Sequence, residues 1–153
     1  MKRDCDGTGV REQGEYVLLP EGEYDVVIEE VRDTDKDGNA QETKNGDPMI
    51  TIKLVPSSGV YQDEAWVWDN ITISDNPNSP GFKILGRSKH FLHCIGEPYE
   101  DKFSWDSANW LYKKCRIKVE HEPPNQYHKK PKAIVSGYIL TDDLQEPAED
   151  SPL

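Results

Sequence analysis

From Glu23 to Arg32 the chain reads EYDVVIEEVR, with Tyr24, Val26 and Ile28 on alternate positions. Period-two alternation rich in β-branched residues predicts a strand with one face on a core. It begins just after the turn residues Pro20-Glu21-Gly22. The pattern returns at about Pro48–Val55, where Ile50, Ile52 and Leu54 face inward and Thr51 and Lys53 outward. Pro56-Ser57-Ser58-Gly59 then turns the chain. A third strand is expected over about Glu64–Ser74, EAWVWDNITIS. Its facing is ambiguous. Turning Trp66 and Trp68 inward exposes Val67 and Ile71, and turning them outward buries Asp69, so a bulge near Asp69 would settle the choice.

Ser79-Pro80 reads as a helix N-cap followed by proline at the first helical position. Gly81–Ile95 then has helical spacing, with Phe82, Leu85, Leu92 and Ile95 on one face and Ile84 and Phe91 alongside. Gly96 and Pro98 end it. After a loop over residues 97–109, a fourth strand sets Leu111, Lys113, Cys115, Ile117 and Val119 against Tyr112, Lys114, Arg116, Lys118 and Glu120. A last strand covers Ala133–Leu140. Strand, strand, strand, helix, strand, strand is the order of an OB-fold, so the expected class is mainly β: a five-stranded Greek-key barrel with one helix between strands 3 and 4. Residues 1–13 are expected to form a flexible arm, residues 14–140 the barrel and residues 141–153 a flexible tail.

Between the first two strands lies DTDKDGNAQETK, Asp33 to Lys44, which opens like a calcium loop: Asp33, Asp35 and Asp37, then Gly38. Such a loop needs a bidentate glutamate at its twelfth position, and here that position is Lys44. Strands rather than helices flank it. It reads as the first hairpin loop of the barrel, and no specific metal is expected there. His90, His93, Cys94 and Cys115 do not make a zinc set either, since Cys115 belongs to an inward strand face. Cys94 and Cys115 lie in apolar patterns and read as inert packed thiols. No cofactor and no catalytic residue is expected.

At 153 residues the chain allows one domain. No apolar run reaches the roughly 20 residues of a membrane span, and no secretory h-region opens the chain. Three widely spaced cysteines offer no disulfide framework, and the expected location is the cytoplasm. The formal net charge of −11 hides an asymmetry. Residues 1–80 hold seven basic and eighteen acidic residues, residues 81–140 eleven basic and six acidic, and residues 141–153 five acidic and none basic. A basic segment between acidic ones points to a nucleic-acid partner or a charged tail.

Tyr112, Lys114, Arg116 and Lys118 alternate on one strand face, the mixture of ring and cations with which single-strand binders track phosphates and stack bases. A solvated outer face with edge charges is the plainer reading. Tyr127, Lys129, Lys130 and Lys132 extend the positive patch through the 4–5 loop, with His128 beside them. Lys53, Trp66 and Trp68 complete the candidate interface if the tryptophans face out. Trp105 and Trp110 are expected to be buried.

The strings LPEGEYDVVIEEV, NGDPMITIKLVPSSG, KHFLHCIGE and LYKKCRIKVEHE resemble small phage-encoded proteins of replication and recombination gene clusters. The resemblance covers roughly residues 19–140 and implies a single-stranded-DNA-binding protein without chemistry of its own. The tail, TDDLQEPAEDSPL, loosely resembles the acidic C-terminal tails of bacterial single-stranded-DNA-binding proteins, which dock on partner enzymes. It lacks their terminal aromatic. The resemblance makes Asp142, Asp143, Glu146, Glu149, Asp150 and Leu153 the candidate contacts to replication or recombination proteins, with no membrane partner and with self-association left open. The alternative is an acidic adaptor or DNA-mimic inhibitor that does not bind DNA.

Overall fold

The computed structural model describes residues 1–8, 17–127 and 129–141. Its strands are β1 (Gly22–Arg32), β2 (Met49–Pro56), β3 (Val67–Thr72), β4 (Lys114–Glu122) and β5 (Lys132–Ile139). The helix α1 (Leu85–Cys94) follows β3 in the chain. The strands pair antiparallel in the order β3-β2-β1-β4-β5, and β3 and β5 come together to leave a nearly closed barrel. Among the described residues the protein is mainly β, with one α-helix. Residues 1–8 carry no helix or strand. The expected tail from residue 142 onward lies outside the described residues. Among the described residues no helix is long and apolar enough to cross a membrane.

β1 organises the sheet because it is shared. Its first half, Gly22–Val27, pairs with β4, and its second half, Val26–Arg32, pairs with β2. Between Ile28 and Glu30 the register slips by one residue, a bulge that bends the strand where it changes partners. The inward sets match the alternation: Val26, Ile28, Ile50, Ile52, Leu54, Cys115, Ile117 and Val119 are buried. Phe91 of α1 meets Trp110 and Tyr138 edge to face, with ring centroids 5.1 and 5.0 Å apart. Trp110 is fully buried, as expected, whereas Trp105 is only half-buried against this core.

The gap between β3 and β5 is bridged by α1. Arg87 donates to Asp69 Oδ2 of β3 at 2.9 Å and to Val135 O of β5 at 3.1 Å. Tyr138 of β5 donates its hydroxyl to the same Asp69 oxygen at 2.5 Å. Ser88 donates to Thr72 O at 2.6 Å, and His90 Nε2 lies 2.9 Å from Tyr138 O. Burial pushes the Asp69 carboxyl above its usual range, against the pull of Arg87 and Tyr138.

Three expectations are corrected. The third strand is shorter than Glu64–Ser74, since only Val67–Thr72 keeps its ladder to β2. The single helix over 81–95 is divided into a 3₁₀ turn, Pro80–Ile84, and α1. Phe82 and Ile84 are consequently exposed, while Ser88 takes a buried place on the inward face. Leu111 and Tyr112 precede β4 rather than extending it, and both are exposed.

The start of the 3₁₀ turn is locked to the first hairpin. Ser79 caps it, and its hydroxyl also donates to the buried Asp47. Donation from Ser79, then Ser74, holds the Asp47 carboxyl below its usual range. Gly81 packs so closely here that an added Cβ would collide with Asp47 Oδ2 and lie 3.2 Å from Thr72 Cγ2. Gly81→Ala should therefore lower stability by about 1–3 kcal/mol, the usual penalty of overpacking, as read from urea denaturation. An Asp47 carboxyl with a depressed folded value stabilises above the ordinary aspartate value and loses that contribution as pH falls through the folded one. Asp47→Asn should lower the urea midpoint at pH 7, and its deficit should shrink below about pH 3.9. A deficit constant from pH 7 to pH 2.5 would show that ionisation of Asp47 does not matter.

Candidate nucleic-acid interface

Because Asp69 points inward, the alternation of β3 turns Trp68 outward, and Trp66, just ahead of the strand, lies under Lys53 of the outer face. The β2–β3 register runs from Leu54↔Val67 to Met49↔Thr72 without a bulge. Both indoles are half-buried. Across the outer face, Glu30 of β1 opposes Lys53 of β2, which opposes Trp68. In the next row Arg32 opposes Thr51, which opposes Asn70. Thr51 donates to Asn70 Oδ1 at 2.7 Å and accepts from Gln41 Nε2 at 2.8 Å, forming a polar wall beside the rings.

Each indole lies under a cation. Lys53 Nζ is 4.9 Å from the Trp66 ring centroid, and Arg32 Cζ is 4.4 Å from that of Trp68. Cations over indole faces are attracted by the ring quadrupole. Each cation also holds an acid of the β1 bulge: Lys53 reaches Glu29 at 3.1 Å, and Arg32 is paired with Glu30. Strict alternation along β1 would send Arg32 inward with Val26 and Ile28. The bulge reverses the parity, so Val31 faces Ile52 and Arg32 joins the outer face. Glu30 and Arg32 are thus residues of this outer face that period-two reading sends inward.

The β4 stripe is present but largely matched by acids. Arg116 makes two hydrogen bonds to Asp25, at 2.7 and 3.4 Å. Lys118 lies opposite Glu23 and 3.6 Å from Glu120. Lys114 opposes Val27, which opposes Val55 of β2, so it sits on the same outer face as Lys53. Tyr112 is 69% exposed and adopts a left-handed backbone, φ 67°. Its amide donates to Ile28 O at 2.7 Å, so the ring projects from beside the bulge.

The 4–5 loop is elsewhere. Tyr127, Lys129, Lys130 and Lys132 are exposed, and Lys132 opposes Glu122 at the far end of β4. That is the end of β1 away from Arg32. His128 is outside the described residues. In the first hairpin, Asp35 Oδ1 accepts from the amides of Asp37 and Asn39 at 2.9 and 3.0 Å, while Asp33 accepts from Ser107 at 3.0 Å. Asp35 thus shapes a turn and Asp33 ties the hairpin to Ser107, and the two do not converge on a common point. His93 stacks on Tyr99 at 4.1 Å, and burial pushes the thiols of Cys94 and Cys115 up. Among the described residues no group of three or more His, Cys, Asp or Glu side chains is arranged to hold a metal ion.

Compared with known proteins, the chain matches no protein-family model and no curated sequence.

A tyrosine in the left-handed region carries steric cost that glycine avoids. Tyr112→Gly should leave the urea midpoint unchanged or raise stability by up to about 1 kcal/mol, since relief at positive φ offsets the added freedom of the unfolded chain. A loss above about 2 kcal/mol would mean that the Tyr112 ring is part of the core.

Proposed function

We propose that the protein binds single-stranded DNA during phage replication or recombination, through the outer face of an OB-fold barrel and without catalysing a reaction. The observation that carries this reading is the pair of outward indoles, Trp66 and Trp68, beside Lys53 and Arg32. Such a surface offers what a flexible strand can use: ring faces for bases and cations for phosphates. Support for the OB-fold comes from the strand order, in which β4 returns by a long connection to lie beside β1, giving the Greek-key sequence β3-β2-β1-β4. Lys114 lies on the same outer face, two strands beyond Lys53, and Tyr112 is exposed beside the β1 bulge, whereas the 4–5 lysines would act as a separate phosphate contact. Partner recruitment through Asp142, Asp143, Glu146, Glu149, Asp150 and Leu153 belongs to the same proposal.

A second reading, a protein adaptor, draws on the cleft of about 550 Å³ between the β3 end and α1, lined by Ile73, Phe82, Leu85, Phe103 and Trp105. Titration with oligo-dT separates the two. With about four phosphate contacts, log K should fall with log salt at a slope near −3. Trp68→Ala should weaken binding by about 1–3 kcal/mol, and single strands should quench tryptophan fluorescence more than duplex of equal length. No binding at low salt would favour the adaptor.

A further inference from the structure

We propose that the indole platform is latched in the free protein by its own cations, and that single-stranded DNA binds by exchange, bases taking the ring faces that Lys53 and Arg32 now cover. The proposal rests on the single-strand reading above and adds to it a gating role for Glu29 and Glu30.

The latch has two parallel arms. In one, Glu29 holds Lys53 at 3.1 Å, and Lys53 lies 4.9 Å from the Trp66 centroid. In the other, Glu30 holds Arg32, and Arg32 lies 4.4 Å from the Trp68 centroid. The β-bulge makes this duplication possible. With the register stepping from Ile28↔Leu54 to Glu30↔Lys53, the extra residue Glu29 stands beside Glu30, so two adjacent acids serve two cations. A lysine on an outer strand ordinarily extends its ammonium into water. The Lys53 side chain is only 21% exposed, as expected of a chain lying flat across an indole rather than reaching outward.

The two functions of the surface compete. A base and a cation cannot occupy one ring face together. A phosphate and a carboxylate likewise compete for the same ammonium or guanidinium. When bases stack on Trp66 and Trp68, Lys53 and Arg32 are displaced from the rings toward the strand's phosphates, and Glu29 and Glu30 lose their partners. A duplex keeps its bases stacked internally and cannot open the latch in this way. The acids thus oppose both steps, which makes them specificity-determining rather than merely solubilising.

Natural-abundance or ¹³C-labelled NMR tests the exchange directly. In the free protein the Lys53 ε-methylene and Arg32 δ-methylene protons should be shifted upfield by the indole ring currents. Saturating oligo-dT should return them toward ordinary positions. Glu29→Gln with Glu30→Gln should bind oligo-dT several-fold tighter at low salt than the charge-matched control Asp75→Asn with Glu100→Gln, whose sites are exposed and away from the platform. Oligo-dT binding with both methylene signals still upfield would overturn the exchange and leave the single-strand reading standing, as would equal affinity of the two double variants. Absence of any oligo-dT binding would overturn both. Should the Glu29/Glu30 variant fail to fold, the wild-type methylene shifts decide the matter.

Discussion

The barrel turns on one carboxylate. Asp69 occupies an inward position of β3, where an apolar residue would otherwise sit, and its partners come from two other elements, Arg87 of α1 and Tyr138 of β5. An acid taken from water is costly unless hydrogen-bonded and paired, so this site is stable only when all three elements are in place. The hydrogen-bonded strand order ends at β3 and β5, and the Asp69 cluster joins these ends. Arg87 also lies over the Tyr138 ring, with its Cζ 5.5 Å from the centroid, so cation–π and ionic contacts coincide. The arrangement also holds the tyrosine neutral, since burial and the adjacent carboxylate push its hydroxyl well above the ordinary range.

The same carboxylate determines what the outside looks like. A one-residue slip in a strand sends every side chain to the other face. With Asp69 held inward by Arg87 and Tyr138, Val67 and Ile71 are inward too, and Trp68 faces out. The opposite edge of this surface is set by the β1 bulge, which places Glu29, Glu30 and Arg32 beside Lys53. The candidate interface is therefore assembled from two irregularities, an inward-facing acid in β3 and an extra residue in β1. Both are features of the scaffold, so Trp68, Lys53 and Arg32 sit on paired strands, with Trp66 just ahead of β3.

The strands were legible in the sequence because alternation is a local property. Tyr24-Val26-Ile28, Ile50-Ile52-Leu54 and Cys115-Ile117-Val119 each declare a face within a few residues, and their order declares the barrel-like architecture. The facing of β3 was not legible, because the partners that make an inward Asp69 tolerable are 18 and 69 positions away. Arg116 presents the same difficulty in reverse. Its strand pattern marks it as an exposed cation, but Asp25, 91 positions earlier, takes its guanidinium. Helical spacing over 81–95 concealed the change of pitch at Ile84, whose backbone departs from the helix at φ −104°, ψ 9°. Tyr112 continued the β4 alternation in sequence but not in space, since a single left-handed residue ends the pattern.

These pairings bear on how a chain with a formal charge of −11 could select a nucleic acid at all. The basic segment of residues 81–140 is less available than its count suggests, because Arg116, Lys118 and Arg87 have acidic neighbours within the fold. Phosphate attraction alone is then weak, and overall repulsion works against any polyanion. A duplex keeps its base faces stacked on one another and has none to lay on the indoles. A single strand also offers base faces, each worth about 1–3 kcal/mol when stacked on an aromatic ring. On the proposed reading, the acidic balance is therefore part of the selectivity: it lowers binding through charge until stacking on Trp66 and Trp68 becomes the term that decides.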